Sequence, residues 1–328
     1  MNDFLSTTRK LLFSRIGIVF GIFCLAFFFA GFSINKSHID DEIVSDAQKY
    51  PLLAHRLFEK QSDDMIINFT QLREVMNATY NEHKIPLGIY FEYLPTGASV
   101  GVNDQLQVEI GSLAKVPAVM GIYKEIEKNN LKPTDMLTIT EEDLDDRFGS
   151  LWKKGVGAKF SVQEAIDYTL KQSDNTAASI LTRKISGDTL NEVFNELDLP
   201  KTRTGPFPVM SPKSYASVFR NLYLSAYLGY ESSSAILTDL TQTDFVDKLP
   251  AGVPAGVSVA HKIGVFRVAE TKDIYSDCGI VYVPDRPYVM CIMVAADEDT
   301  AREEIVTYSK MIYSFVSQVS PSKKVVNK

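Results

Sequence analysis

The stretch that decides the fold is Glu109-Ile110-Gly111-Ser112-Leu113-Ala114-Lys115-Val116-Pro117. It places Ser112 three residues before Lys115, a spacing that brings both side chains to one face at the start of a helix. A lysine amine held there can take the serine proton once burial or a nearby cation lowers its pKa. The pair therefore indicates a serine nucleophile with a lysine base. An N-cap serine beside a solvated lysine would explain the same residues.

The residues on either side of the pair predict a strand, a turn and a helix. Residues Leu106–Ile110 alternate as a strand does, and Gly111 permits a tight exit from it. Apolar residues then recur at helical spacing, namely Val116, Val119, Met120, Tyr123 and Ile126. Ser112 is thus expected at a buried helix start. Since S-x-x-K occurs at three other places in the chain, the pair alone does not define a site.

Two later triplets add to this pattern. Ser173-Asp174-Asn175 begins 61 residues after Ser112, and the lysine of Lys262-Ile263-Gly264 follows Ser173 by 89. The order S-x-x-K, S-D-N and K-T-G is typical of the penicillin-recognising serine enzymes. On these motifs the chain resembles the serine β-lactamase and penicillin-binding protein superfamily, most closely its class A β-lactamase branch. The resemblance covers about residues 65–319 and implies a bacterial source.

The periodicity of the sequence indicates an α+β fold whose strands come from both ends of the chain. Residues Leu87–Tyr93 and Ala98–Val102 are predicted to form a hairpin. Three more strands are expected near the C-terminus, over Val257–Val265, Ile274–Val283 and Tyr288–Ala295. Helices are expected between the two groups of strands, with Ser161 and Ser211 as caps of two of them. The resemblance implies the full layout: an antiparallel five-stranded sheet covered by helices, with an inserted all-helical lobe and a cleft between the two.

The resemblance also implies a role for each motif residue. Ser112 would attack a carbonyl to form an acyl-enzyme, and Lys115 would be its base or proton relay. Ser173 would pass a proton to the departing amine, and Asn175 would hydrogen-bond the substrate side chain. Lys262 would supply positive potential for the substrate carboxylate.

The other candidate substrate contacts lie on the last triplet and at the mouth of the cleft. The backbone N–H groups of Ser112 and Val265 are expected to form the oxyanion hole. Ile263 and Gly264, which lie on the same predicted strand as Val265, would border the substrate. Trp152 would place an aromatic ring at the cleft mouth, although a core tryptophan is an alternative interpretation.

Two departures from the family pattern affect the expected chemistry. Ile263 stands where the family has a Thr or Ser hydroxyl for the substrate carboxylate, which implies weaker carboxylate recognition or a different substrate. If Ile263→Thr does not speed acylation, Arg267 or Lys272 would be the candidates to bind that carboxylate. The chain between the second and third motifs is also about fifteen residues shorter than in the class A branch. Residues Leu197–Pro206 contain no glutamate that could activate the hydrolytic water. Glu192 and Glu196 would be the nearest candidates for that base.

These features together predict a membrane-anchored serine acyl-transfer hydrolase that forms an acyl-enzyme on Ser112 and deacylates slowly. Its substrate would be a β-lactam or the D-Ala-D-Ala end of a peptidoglycan stem peptide. One alternative is a DD-carboxypeptidase or transpeptidase of peptidoglycan. Another is a non-catalytic cell-wall-binding protein; Ile263 favours it and the intact motifs oppose it. A lipase-like esterase would carry a G-x-S-x-G elbow, which this sequence lacks.

Composition argues against other classes of function. The 328 residues carry a net charge of -7 and no basic stripe with interleaved aromatics, so nucleic-acid binding is not expected. The four histidines and three cysteines show no metal-ligand spacing, and we expect no metal and no cofactor.

Cys278 and Cys291 are predicted to share one face of the last strand pair, as two buried thiols or as a disulfide. The acidic run of residues 141–146 is most simply a solvated face.

The N-terminus predicts a single membrane span. Residues Ile16–Ile34 form an uncharged run of 19 residues that follows Arg9, Lys10 and Arg15. The basic flank places the N-terminus in the cytoplasm and the catalytic domain in the periplasm or outside the cell. A cleaved signal peptide is the alternative. The expected organisation is a membrane anchor over 1–35, a stalk over 36–64, the catalytic domain over 65–320 and a tail over 321–328.

Deletion of residues 1–35 should release a folded protein into the soluble fraction, because this segment carries the uncharged run. Fractionation of cells that express the full-length and the truncated chain measures the effect. If mature protein from cells instead begins near Phe32 or Ser33, the segment is a cleaved signal and the anchor prediction is wrong.

Overall fold

The computed structural model describes residues 48–53, 68–204, 207–267 and 273–318. Backbone contacts divide the chain into two units, and every helix and strand named below belongs to the larger one. The predicted anchor and tail, and most of the predicted stalk, lie outside the described residues. Within the described part of the chain, no helix is both long enough and apolar enough to cross a membrane.

The larger unit is an α+β fold, as predicted. Its strands are β1 Leu87–Tyr93, β2 Ala98–Val102, β3 Val108–Glu109, β4 Met136–Thr138, β5 Lys159–Ser161, β6 Arg203–Thr204, β7 Phe207–Met210, β8 Val259–Phe266, β9 Ile274–Val281 and β10 Tyr288–Ala295. Its α-helices are α1 Thr70–His83, α2 Lys115–Glu127, α3 Val162–Lys171, α4 Asn175–Thr182, α5 Gly187–Glu196, α6 Pro212–Leu224, α7 Tyr230–Leu240 and α8 Glu298–Gln318.

Five strands form one antiparallel sheet in the order β2-β1-β10-β9-β8, which confirms the predicted sheet and its assembly from both ends of the chain. The hairpin β1–β2 has the predicted bounds. All residues of β1 and β9 are buried, because helices cover both faces of the sheet. The polar residues that these strands contain, Glu92, Ser276 and Asp277, are therefore buried as well.

Helices α1 and α8 cover one face of this sheet and α6 covers the other. On the first face, Leu72 and Met76 of α1 and Ile305 and Tyr308 of α8 share one apolar core with the strands. On the second, the Arg220 side chain of α6 donates to the buried carboxylate of Glu92 on β1. A carboxylate taken out of water requires such a partner, so this ion pair fixes α6 on the sheet.

The chain between β2 and β8 forms the inserted helical part of the fold, with α2 to α5 and α7. Predicted caps begin two helices between these strands. Ser161 caps α3 in a capping box with Glu164, and Ser211 caps α6 ahead of Pro212. Asp174 caps α4 by accepting a hydrogen bond from the Ala177 N–H, at 2.9 Å.

Cys278 and Cys291 form a disulfide between β9 and β10. The register of the two strands places the two residues directly opposite each other. Of the two alternatives that the sequence left open, the disulfide is therefore the one that this structure adopts.

A buried polar chain holds β8 against β9 and against the segment that follows α7. The His261 Nδ1 atom lies 2.8 Å from Asp277 Oδ1, and its Nε2 atom lies 2.8 Å from Thr243 Oγ1. The second oxygen of Asp277 accepts the Leu249 N–H at 3.0 Å. Both ring nitrogens of the buried imidazole are thus partnered, which fixes the residue that precedes Lys262.

Candidate active site

Ser112 lies in a 3₁₀ turn, Gly111–Ala114, between β3 and α2. Helix α2 begins at Lys115, and its N-cap residue, Ala114, makes no side-chain hydrogen bond. Ser112 is therefore not the cap of this helix. The Tyr215 hydroxyl donates to the Leu113 carbonyl at 2.7 Å and so holds the turn from the side of α6.

Two glycines allow the turn to touch strand β8. Gly111 has φ +49°, and a Cβ atom on it would lie 2.3 Å from the Val265 carbonyl oxygen. A Cβ atom on Gly264 would lie 2.6 Å from the Ile110 carbonyl oxygen. Real Cβ atoms do not come this close to backbone, so only glycine fits at either position. The peptide of Val265 is thereby brought against the residue that precedes Ser112.

The side chain of Lys115 connects the first two motifs. Its Nζ atom lies 3.1 Å from Ser112 Oγ, 2.6 Å from Asn175 Oδ1 and 2.5 Å from the Ser173 carbonyl oxygen. Lys115 is 9% exposed. The amine is therefore held within hydrogen-bond distance of the candidate nucleophile, the geometry that a general base requires.

Ser173 lies between the two lysines. Its Oγ atom is 2.7 Å from Lys262 Nζ and 3.3 Å from Lys115 Nζ. The residue is fully buried and has φ +55°, an uncommon conformation for a non-glycine residue. It adopts this conformation at the break between α3 and α4, so the turn that links the helices aims this hydroxyl at both amines.

Burial lowers the pKa of both lysines. The pKa of Lys115 falls to about 8, because burial disfavours its charge more than Asp174 and Asp145 favour it. Burial and the charge of Lys115 together hold the pKa of Lys262 well below its ordinary value. Among the described residues, no carboxylate lies within ion-pair distance of either amine. The neutral form that a lysine base needs is therefore accessible near neutral pH.

Asn175 is held by Asp145, a member of the acidic run that was predicted to be a solvated face. Its Nδ2 atom donates to Asp145 Oδ1 at 3.1 Å, while its Oδ1 atom accepts from Lys115. Arg147 pairs with Asp145 and, by donating hydrogen bonds, holds the pKa of this carboxyl at about 2. Asp145 is therefore ionised and fixes the orientation of the Asn175 amide.

The prediction of a solvated face for residues 141–146 was wrong for two of its members. Asp143 is 2% exposed and accepts hydrogen bonds from Thr140 and Arg183. Asp145 is largely buried against α4, through its contact with Asn175. A run of acidic residues gives no local sign of this, because the groups that hold the two carboxylates include residues about 30 to 40 positions later in the chain.

These residues border a cavity of about 1030 Å³. The predicted site residues that line it are Ser112, Lys115, Ser173, Asn175, Ile263 and Val265. Lys262 and Gly264 are buried beneath its surface. Trp152 is half-buried and is not among the lining residues; Phe148 and Phe245 line the cavity instead, with ring centroids 5.7 Å apart. Of the two alternative carboxylate-binding residues, Arg267 lines the cavity, and Lys272 lies outside the described residues.

The carboxylates that line the cavity, among the described residues, are Asp145, Asp247 and Glu298. Glu192 faces elsewhere and pairs with Lys128 at 3.0 Å, and Glu196 is exposed. Neither of these glutamates lines the cavity. The described residues also contain no group of three His, Cys, Asp or Glu side chains that could hold a metal ion.

A nucleophilic serine, a buried lysine base and a cavity between a sheet and a helical insertion define a serine hydrolase of β-lactamase type. The chain belongs to the beta-lactamase enzyme family, which it matches over residues 70–316.

Individual relatives are distant. Beta-lactamase 3 of Bacillus cereus is 24% identical over 264 residues, which cover 75% of this chain and 80% of that protein. The structure of PBP-A superposes with a TM-score of 0.70 at 23% identity, over 76% of this chain and 97% of that one. A beta-lactamase structure from Chitinophaga pinensis gives a TM-score of 0.69 at 20% identity, over 75% and 99% of the two chains. At these identities the solved structures establish the shared fold.

Asp145→Ala should slow the reaction of Ser112 with a penicillin about tenfold or more. The change removes a charge-assisted hydrogen bond that orients Asn175, worth about 1.5–3 kcal/mol. Stopped-flow or quenched labelling measures the rate. Asp146→Ala is the matched control, since Asp146 is the exposed neighbour, and it should leave the rate unchanged. Equal rates for both variants would show that Asp145 does not position Asn175.

Proposed function

We propose that this protein is a membrane-anchored serine acyl-transfer enzyme that forms an acyl-enzyme on Ser112 with a β-lactam or a D-Ala-D-Ala peptide, and that it deacylates slowly. The observation that carries the proposal is the buried amine of Lys115, 3.1 Å from Ser112 Oγ, with a pKa lowered to about 8. A lysine with an ordinary pKa would be protonated at neutral pH and could not accept the serine proton.

In the proposed acylation, neutral Lys115 takes the proton of Ser112 as the serine oxygen bonds to the carbonyl carbon. The carbonyl oxygen becomes an oxyanion, for which the N–H groups of Ser112 and Val265 are the candidate donors. The contact between the Gly111 and Val265 backbones supports this assignment, because it brings the two segments together.

Collapse of the intermediate breaks the bond between the carbonyl carbon and the nitrogen. The Ser173 hydroxyl gives its proton to that nitrogen and receives one from Lys115, so the serine proton reaches the leaving group and Lys115 returns to its neutral form. The hydrogen bond from Lys262 to Ser173 Oγ, at 2.7 Å, orients the relay. For a β-lactam the nitrogen stays attached to the acyl group, since the broken bond belongs to a ring.

Slow deacylation is supported by the residues around Ser112. Hydrolysis of the ester needs a base that activates water, and general-base catalysis contributes about 10²–10⁴-fold. Of the carboxylates that line the cavity in the described part of the chain, Asp145 is paired with Arg147, Asp247 is paired with Lys248, and Glu298 is exposed at the start of α8. The acyl-enzyme would therefore outlast an ordinary turnover by about that factor.

A peptidoglycan DD-carboxypeptidase or transpeptidase is the second candidate, and two observations favour it. The first is that no glutamate from the described part of the segment after α5 lines the cavity, because a transpeptidase keeps its acyl-enzyme for an amine acceptor. The second is the likeness to PBP-A, of which one mutant was solved as an acyl-enzyme complex with penicillin G. Release of D-alanine from a stem pentapeptide would assign this activity.

A non-catalytic cell-wall-binding role is opposed by the geometry of the motifs. Ile263 lines the cavity where a hydroxyl would bind a carboxylate, and this favours weaker substrate recognition. However, Lys115, Ser173 and Lys262 retain a continuous set of hydrogen bonds to Ser112, which a binding protein has no reason to keep.

For localisation we propose a single-pass protein with this domain in the periplasm or outside the cell, on the basis of the uncharged run at residues 16–34.

Ser112 should be labelled covalently by a penicillin, and the adduct should persist for minutes because no glutamate from the described part of the segment after α5 lines the cavity. Intact-protein mass spectrometry measures its formation and decay, with Ser112→Ala as the control that forms none. Fast, repeated turnover of nitrocefin would contradict slow deacylation. An adduct that never forms would favour the non-catalytic alternative.

The rate of acylation should rise with pH and level off above about 8, because only neutral Lys115 can accept the proton. Well below that pH the neutral fraction, and with it the rate, should fall about tenfold per pH unit. The pH dependence of labelling measures this, after subtraction of spontaneous hydrolysis of the β-lactam. A rate that is flat through this range, or that falls as pH rises, would exclude Lys115 as the base.

A further inference from the structure

We propose that the cavity at Ser112 continues into an apolar groove that binds the acyl side of the substrate, so that the preferred acyl donors carry an extended apolar arm. The inference rests on the proposed acylation of Ser112. The groove, called the acyl groove below, is lined by residues of α2, α4 and α5: Ala118, Ala178, Leu181, Leu190 and Phe194.

The walls of the acyl groove are apolar. Leu181 and Phe194 are at most 5% exposed, whereas Ala118, Ala178 and Leu190 are half-buried and accessible from the cavity. Three polar residues also line the cavity: Ser179 donates to Asp143, and Thr182 and Arg203 are exposed. Burial of apolar atoms against such a surface is favourable, whereas a polar or charged group finds few hydrogen-bond partners there.

Side-chain size explains why the space is open near Ser112 and closed farther along α2. At Gly121, α2 and α5 are in contact, since a Cβ atom there would meet Thr189 at 3.6 Å and Val193 at 3.7 Å. One turn nearer to Ser112 the residue is Ala118, whose small side chain leaves the space unfilled. The close approach of α2 and α5 at Gly121 therefore bounds the groove on that side. The length of the groove along α4, from Asn175 to Thr182, is about 10 Å.

The direction of the groove follows from the proton relay. The leaving amine must lie beside Ser173 Oγ, which Lys262 contacts from the side of β8. Asn175 lies between the relay and the groove, because its amide oxygen accepts a hydrogen bond from Lys115 and its backbone begins α4. From Asn175, α4 continues to Ala178 and Leu181 of the groove, about one and two turns past the residues of the relay. A substituent of the acyl group, rather than of the leaving group, is thus the part that can enter.

The expected selectivity can be stated as a ratio of rates. Each methylene group that moves from water into an apolar site is worth about fourfold. An octanoyl arm has six more methylenes than an acetyl arm, and burial of about half of them would favour the octanoyl compound about fifty-fold. Extended aliphatic or aryl arms should therefore be preferred over short or charged ones.

The test compares acylation of the full-length protein by aminopenicillanic acid and by its N-acetyl and N-octanoyl derivatives. We expect the octanoyl compound to acylate Ser112 about fifty-fold faster than the acetyl compound. Ala178→Leu fills the groove and should lower this ratio at least fivefold. Ala235→Leu is the matched control, because Ala235 is also a half-buried helical alanine, lies on α7 and does not line the cavity; it should leave the ratio unchanged. A ratio is used because partial unfolding slows both reactions equally.

Each outcome bears on one proposal. Equal rates for the acetyl and octanoyl compounds would overturn the acyl groove and leave the acylation of Ser112 standing. The groove is also overturned if Ala178→Leu and Ala235→Leu change the ratio alike. Failure of all three compounds to label Ser112 would instead overturn the proposed function.

Discussion

The structure depends most on the burial of one amine. Lys115 is carried by the first turn of α2, and its Nζ atom is satisfied by groups from two other segments, the Ser173 carbonyl oxygen and the Asn175 amide. Without those acceptors a buried lysine would leave its donors unpaired at a cost of several kcal/mol. The same contacts bring the helical insertion against the serine turn. One side chain therefore joins the two halves of the fold and acquires the lowered pKa that the chemistry needs.

Close backbone packing is the second constraint. The turn that carries Ser112 touches β8 only because Gly111 and Gly264 have no Cβ atom. On the other side of β8, the chain from Thr243 through His261 to Asp277 fixes the strand. Lys262 is thereby held under Ser173 in a fully buried position. Burial lowers the pKa of Lys262, which works against the positive potential that the resemblance to the family implies for this lysine. The position makes Lys262 well suited to orient the Ser173 hydroxyl, and a substrate carboxylate would have to supply the charge that stabilises its ammonium form.

The departures from the family pattern lie on opposite sides of the nucleophile. On the side of β8, Ile263 replaces a hydroxyl with an apolar wall. On the side of α4 and α5, apolar residues line the space next to Ser112, and the glutamates of α5 face elsewhere or lie exposed. Both changes make the surroundings of the serine drier and poorer in hydrogen-bonding groups. On the proposed mechanism, such a site would favour attack by the half-buried serine on an apolar acyl donor over activation of water.

The sequence by itself determined what depends on local pattern. Periodicity located the hairpin β1–β2 and the strands of the sheet, caps such as Ser161 and Ser211 located helix starts, and the three motifs, with the resemblance they carry, identified the family. The tertiary structure alone decided which distant groups meet. It buried Asp143, bonded the half-buried Asp145 to Asn175 of α4, paired Cys278 with Cys291, and lined the cavity with Phe148 and Phe245 instead of Trp152. These outcomes follow from packing between segments far apart in the chain, where burial and the availability of a partner, rather than a residue's neighbours in sequence, set its environment.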